Sequence, residues 1–191
     1  MTRLDLHPLI VAAAQGRLPE WAAVRSSRRA HLAAVAALLH GWAQELGLAE
    51  RDQLRWAAVA WLHDALRDAD ASALEADAAD FPERVRHGPA VAARLQRSGV
   101  DDEELLEAIC YHSLGRAGFG RLGRFLYLAD YLEPGRDFAP EENAALRARM
   151  PGDHEAVLRL VCSRRIADLL DRGLPLRSET VDFWNELRAR V

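Results

Sequence analysis

Six side chains able to hold metal ions occur along this chain in the order His31, His63-Asp64, His87, His112 and Asp130. Four imidazoles and two carboxylates suit a two-metal site for first-row transition ions. Successive residues of a helix point about 100° apart, so His63 and Asp64 can serve neighbouring ligand positions, and the two oxygens of Asp64 can bridge two ions. Such a centre suits metal-assisted hydrolysis. Ions held there act as Lewis acids and lower the pKa of a bound water.

The surroundings of these residues favour that chemistry. His63-Asp64 closes the apolar run from Trp56 to Leu62, and Asp130 lies inside the mostly apolar run from Leu126 to Leu132. A carboxylate buried among apolar side chains needs a counter-charge, and a cation is a natural one. Asp64 has the alternative of a helix cap or a salt bridge with Arg67, and His87, before Gly88-Pro89, that of capping a helix entrance. His40 is nine positions after His31, on the opposite face of the same helix. His7 and His154 lie near helix starts in polar context and read as solvated. Cys110, Trp42, Trp56 and Trp61 read as core. The runs Asp101-Asp102-Glu103-Glu104 and Glu141-Glu142 read as solvated first turns favoured by the helix dipole. Arg116 and Arg136 follow His112 and Asp130 by four and six residues. Each can reach an anion at the metals, for which the guanidinium fork is suited, or form a surface salt bridge, Arg136 with Glu133 or Asp137.

Helices must position these groups, because apolar residues recur at helical spacing almost throughout and no segment alternates with period two for long. Ser26 or Ser27 caps a helix running to about Leu46, with Gly47 beyond it. A second helix runs from about Asp52 to the doublet, a short one follows Ser72 to Ala79, and Gly88-Pro89 opens another that ends at Gly99. Asp101 or Asp102 caps the helix carrying His112. A Gly- and Arg-rich loop separates it from the helix carrying Asp130, which stops at Glu133-Pro134-Gly135. Further helices cover about 140–149, Asp153 to Arg172, and Ser178 to the end. The expectation is an all-α fold, a single helical bundle over 26–191 with an N-terminal helical extension over 1–25.

Composition narrows the classes. The chain has 191 residues, half of them hydrophobic, and a net charge of −4, so one sizeable core is expected and no basic patch argues for nucleic acid. All 25 basic residues are Arg, a chain-wide bias that makes any single Arg less telling. Cys110 and Cys162 are isolated and form no CxxC, which suits a reducing compartment. The apolar stretch Leu9–Ala14 is too short to span a membrane and lacks a basic leader, and no other run reaches the ~18 apolar residues a spanning helix needs. No membrane association and a cytoplasmic location are expected.

The segments Arg28-x-x-His31, Leu62-His63-Asp64, His87-Gly88-Pro89, Tyr111-His112-Ser113-x-Gly115-Arg116 and Tyr127-Leu128-Ala129-Asp130-Tyr131-Leu132-Glu133-Pro134-Gly135-Arg136-Asp137-Phe138 resemble the HD-domain metal-dependent phosphohydrolases. Within them the chain is similar to the YqeK family of bacterial symmetrical diadenosine-tetraphosphate hydrolases, over roughly residues 26 to 185 and most specifically over 105–138. The resemblance implies an all-α HD fold and a two-iron centre held by His31, His63, Asp64, His87, His112 and Asp130, with Asp64 as the bridge. It implies cleavage of diadenosine tetraphosphate into two ADP, with Asp64 and Arg67 catalytic and with Arg67, Ser113, Gly115, Arg116 and Arg136 on the substrate. The chain has Arg67 where the family tends to have Lys, Leu114 where it often has Thr, and Phe119 in place of the usual Met. These departures bear on substrate preference more than on catalytic competence.

The expected partner is therefore a dinucleoside polyphosphate, cleaved by a metal-bound hydroxide. The rivals are an HD phosphohydrolase acting on a deoxynucleoside triphosphate or a nucleoside monophosphate, a metal-containing nucleotide sensor without turnover, and a helical scaffold. From residue type alone the ions can be iron, manganese, zinc or nickel. A homodimer is the base-rate expectation for assembly.

Overall fold

The computed structural model describes residues 5–189, apart from the side chains at 75 and 76. Residues 1–4 of the expected N-terminal extension, and 190–191, lie outside the described residues. The described chain is all-α, as expected, and contains no strand. Its helices are α1 (Pro8–Ala14), α2 (Ser26–Glu45), α3 (Glu50–Leu62), α4 (Ala71–Ala78), α5 (His87–Arg97), α6 (Glu103–Tyr111), α7 (Arg121–Leu132), α8 (Pro140–Arg147), α9 (His154–Asp171) and α10 (Ser178–Ala189), with a 3-10 turn at Glu83–Val85.

α7 is the axis of the core. Leu122, Phe125, Leu126, Tyr127, Leu128, Ala129 and Leu132 are all buried, so apolar side chains cover most of the helix, as an interior helix requires. It packs against α2, α3, α6, α8 and α9, and this burial carries Asp130 into the interior. α2 turns Leu32, Val35, Leu39 and Trp42 inward at spacings of three and four. Its end is a Schellman turn. Gly47, at φ +62°, donates to the Gln44 carbonyl and Leu48 to that of Ala43, a left-handed position that glycine takes without strain. Its start differs from expectation. Ser26 and Ser27 fall inside the helix, and Arg25, with no side-chain bond, stands at the cap. α1, within the expected N-terminal extension, packs on α3 and puts Ile10 and Ala13 into the same core as the rest.

Three sequence readings change. His7 is not solvated but caps α1, its Nδ1 accepting from the Leu9 N–H at 3.2 Å. His154 is half-buried against the Phe125 ring, centroids 5.1 Å apart. Trp61, unlike buried Trp42 and Trp56, lies at the surface under the Arg29 guanidinium, 5.5 Å away.

The run Asp101–Glu104 also does more than face solvent. Arg55, buried on α3, donates to Asp102 at 2.6 and 2.7 Å and to Glu104 at 2.9 Å. Asp102 in turn accepts from the Leu105 N–H at 3.1 Å and so caps α6. This clamp joins α3 to the start of α6, the two helices whose far ends deliver His63 and His112. A second buried guanidinium, Arg124 on α7, bonds Glu155 at 2.8 Å and Glu186 at 2.6 Å and ties α7 to α9 and α10.

Burial alone would raise the Asp102 carboxyl, but Arg55 and the Leu105 N–H hold it below the usual carboxylate range. A depressed native value means that this stabilisation is complete above the unfolded value of about 4 and is lost as pH falls through the native one. Asp102→Ala is expected to cost about 2–4 kcal/mol, from the lost cap and a buried guanidinium short of one partner. Thermal melts at neutral pH should show a drop of roughly 5–15 °C. The gap to the parent protein should close as pH is lowered below about 4.

Candidate functional site

The six sequence-predicted ligands meet in one buried cluster, and most of them sit at helix ends. His63 and His112 are the residues immediately after α3 and α6, His87 is the first residue of α5, His31 lies early in α2, and Asp130 lies near the end of α7. The last carbonyls of a helix lack partners within it. Here the imidazoles use them. His63 Nδ1 donates to the Ala60 carbonyl at 2.8 Å, and His112 Nδ1 to the Ile109 carbonyl at 2.7 Å. A carbonyl only accepts, so each Nδ1 carries the proton and each Nε2 presents its lone pair inward. His31 is oriented likewise by a carboxylate, its Nδ1 donating to Glu133 Oε1 at 3.1 Å. Glu133 is itself buried and accepts from the Gly135 N–H.

The inward nitrogens crowd one another. Nε2 of His31 is 3.3 Å from Nε2 of His63, and Nε2 of His87 is 3.1 Å from Nε2 of His112. Asp64 stands between the pairs. Its Oδ1 lies 3.0 Å from His87 and 3.4 Å from His112, and its Oδ2 lies 3.8 Å from His31 and 3.9 Å from His63. Asp130 Oδ1 is 3.3 Å from His31 Nε2 and 3.9 Å from His63 Nε2. His31, His63 and Asp130 form one compact donor group, and His63, Asp64 and His112 another. Lone pairs held this close repel unless a cation lies between them. Three of the rings, His31, His63 and His112, are set up by outer acceptors, as metal-binding histidines are, while His87 Nδ1 faces the Arg67 guanidinium. The donor set therefore fits a divalent metal.

The electrostatics agree. Burial pushes His63 down to about 3 and lowers His87 as well, so both are neutral, as ligation requires. Burial would lower His31 too, but Asp130 and Glu133 raise it above its ordinary value. Burial opposes the charge on Asp64 and Asp130, yet the surrounding imidazoles, with Arg136 and Arg165 at Asp130, hold both well below the usual carboxylate range.

The cluster lies at the base of a cleft of about 530 Å³ lined by six arginines and three carboxylates. Arg67 lines it, donating to the Arg84 carbonyl at 2.8 Å and standing 3.3 Å from His87 Nδ1. Ser113 lines it with its hydroxyl 3.0 Å from His112 Nε2. Arg136 lines it and donates to the Asp130 carbonyl at 2.9 and 3.0 Å and to its carboxylate.

Two expected substrate contacts are placed elsewhere. Gly115, at φ +75°, is where the chain reverses after His112, and a Cβ there would overlap the Phe183 ring. The reversal sends Arg116 back along α6, over the Tyr111 ring at 4.7 Å and onto Glu107 at 3.0 Å, away from the cluster.

Several side chains in the cleft carry weak sequence signals. Arg28, one helical turn before His31, donates to Asp64 Oδ2 at 2.9 Å, and its i, i+3 spacing is a usable clue. Arg165 of α9 donates to Asp130 Oδ2 at 2.8 Å and lies over the Tyr127 and Tyr131 rings. Nothing in a chain with 25 arginines marks it out.

A family model described as HD domain matches residues 28–135, more than half of the chain. The chain belongs to the HD domain family. This HD domain is 28% identical over 110 residues to a protein of Staphylococcus aureus named bis(5'-nucleosyl)-tetraphosphatase, symmetrical, a match covering 57% of each chain. It is 30% identical over 108 residues to the protein of that name from Halalkalibacterium halodurans, covering 56% of this chain and 57% of the relative. The matched stretch thus spans little more than half the length of these curated relatives. A solved structure from Clostridium acetobutylicum, described as an HD superfamily hydrolase involved in NAD metabolism, superposes with a TM-score of 0.74 over 95% of this chain and 96% of that one, at 23% identity. That likeness establishes the shared fold. Among the described residues no helix is long and apolar enough to cross a membrane.

One backbone contact sets the spacing of the HD cluster. A Cβ on Gly88 would stand 2.8 Å from the Ile109 carbonyl oxygen and 2.9 Å from that of Cys110. Two consecutive backbone carbonyls of α6 leave no room to yield, so glycine is required for α5 to bring His87 against His112. Gly88→Ala is expected to destabilise by about 1–3 kcal/mol and to lower bound metal in elemental analysis. Gly41→Ala in α2, where no atom lies within 4 Å, should stabilise by about 0.5–1 kcal/mol and leave metal content unchanged. Equal metal content in both variants would refute this account of the spacing.

Proposed function

We propose that this HD domain is a metal-dependent phosphohydrolase that cleaves diadenosine tetraphosphate symmetrically into two ADP. The observation that carries the reading is the placing of arginines at both ends of the histidine–carboxylate cluster. Arg67 stands at the end marked by His87, Arg136 and Arg165 stand at the end marked by Asp130, and Arg28 lies between them on the Asp64 oxygen that faces His31 and His63. A substrate with phosphates on both sides of its scissile bond matches that distribution, whereas a monophosphate leaves one end unused. The names of the curated relatives support the choice of a dinucleoside tetraphosphate.

In this reading His31, His63, Asp64, His87, His112 and Asp130 would hold the metal, as a two-ion centre in the family resemblance, with Asp64 reaching both imidazole pairs. Imidazole with carboxylate suits iron, which the family resemblance favours, and also manganese, zinc and nickel. Ions held there supply Lewis acidity and lower the pKa of a nearby water. The chain's own residues do the rest. Arg67 binds the phosphates at one end, Arg136 binds those at the other, and Arg28 stands over the middle of the cluster at Asp64. Fixed guanidinium donors meet the charge that builds on the phosphate oxygens as the central P–O–P bond breaks and water adds. Ser113 donates its hydroxyl to a phosphate oxygen beside His112. Neither Cys110 nor Cys162 forms a disulfide, which supports a reducing cytoplasmic setting.

Anaerobically purified protein, loaded with metal and incubated with diadenosine tetraphosphate, is expected to give ADP as the only nucleotide product by chromatography. ATP with AMP would overturn the symmetrical assignment, and turnover of mononucleotides alone would overturn the substrate. Asp64→Ala should lose metal and activity together, while His40→Ala, exposed on the far face of α2, should keep both. Arg67→Ala should retain metal and lower kcat/KM roughly ten- to a hundred-fold, the loss of one charge-assisted contact worth ~1.5–3 kcal/mol.

A further inference from the structure

The cleft contains an apolar feature that phosphate binding does not use. Phe138, between α7 and α8, lines it and is 39% exposed, the one exposed large hydrophobic side chain on the cleft wall among the described residues. Its neighbour there is Tyr131, and Leu169 lines the same cleft.

The chain holds Phe138 in this open position at some cost. The Phe138 carbonyl accepts from the side-chain amide of Asn143, a buried residue, at 3.0 Å. The next residue, Ala139, adopts φ 44° and ψ 51°, a left-handed conformation unfavourable for any residue with a Cβ and one that gathers at ligand-binding segments. The Tyr131 ring meets that of Phe138 edge-on, centroids 5.0 Å apart, and Tyr131 is backed by the Arg165 guanidinium at 5.3 Å. The aromatic face is therefore fixed in plane beside a row of cations. Arg136 and Arg165 bond Asp130, and Arg164 and Arg172 line the same cleft. A flat apolar surface next to clustered guanidinium groups is complementary to a ligand that joins a flat aromatic ring to a polyanion.

We propose that Phe138, supported by Tyr131, is the stacking shelf for one nucleobase of the substrate, so that the α7–α9 end of the cleft is a nucleotide subsite and not only a phosphate subsite. The assignment rests on the hydrolase reading above for its place in a reaction, and on the aromatic shelf alone for its ligand class. Stacking discriminates by the presence of a base, since every base offers a π-face and a bare phosphate chain offers none.

The test is calorimetric titration of metal-loaded protein with ADP and, separately, with inorganic pyrophosphate, which has the same phosphates without a base. Phe138→Ala is expected to weaken ADP binding roughly 5- to 100-fold and to leave pyrophosphate binding unchanged. Phe138→Trp, which keeps a stacking ring, should restore ADP binding. With diadenosine tetraphosphate the loss in Phe138→Ala should appear in KM. Unchanged ADP affinity in Phe138→Ala would overturn the shelf. So would an equal loss for ADP and pyrophosphate, which would make Phe138 a support for the loop. A parent protein that binds ADP through Phe138 yet leaves diadenosine tetraphosphate intact would confirm the shelf and overturn the hydrolase reading.

Discussion

Four imidazole nitrogens and two carboxylates share one space in the interior of an all-α bundle, and the rest of the structure is arranged around keeping them there. Their lone pairs approach one another to between 3.0 and 3.9 Å. A protein interior tolerates such crowding only with positive charge to balance it. Part of that charge comes from the chain, with Arg28 on Asp64 and Arg136 and Arg165 on Asp130. The rest is left to whatever cation the imidazoles take up. The same arginines that balance the carboxylates line the cleft above them. A polyanion entering the cleft would meet guanidinium groups already held in place by carboxylates, a form of preorganisation.

The helices deliver these groups through their ends. At His63 and His112 the ring replaces the missing partner of a carbonyl three residues earlier. That one hydrogen bond both finishes the helix and sets the ring tautomer, so the local cost of ending a helix is absorbed by the geometry of the site. The clamp of Arg55 on Asp102 and Glu104 works from the other end of the same two helices. With both ends fixed, the positions of His63 and His112 follow from helix rise alone. α5 is brought close by the absence of a side chain at Gly88, and α7 is held in the centre because most of its surface is buried apolar side chain.

Much of this could be read in the amino-acid order. Apolar spacing fixed the fold class and the approximate limits of most helices, because a core of helices requires a stripe of that period. The chemical types of His31, His63, Asp64, His87, His112 and Asp130, and their apolar surroundings, were enough to single them out as one group. What could not be read were features that depend on which surface a side chain meets after the chain has folded. Arg116 is as close in sequence to His112 as Arg136 is to Asp130, yet the left-handed turn at Gly115 directs it to Glu107, while Arg136 folds back onto Asp130. Asp102 looks like any acidic residue at a helix start until α3 places Arg55 against it.

The sequence by itself determined that this protein is an all-α bundle with a set of metal-competent side chains on its inner faces, because residue type and periodicity are local properties. Only the tertiary structure decided how those side chains share space. The two imidazole pairs lie on either side of Asp64, Arg165 comes from a helix 35 residues after Asp130, and Phe138 stands open beside the arginines. These are relations between segments far apart in the chain. They are set by the packing of α7 against its neighbours and by the few backbone positions, Gly88 and Ala139 among them, where close approach or an uncommon dihedral angle fixes the path.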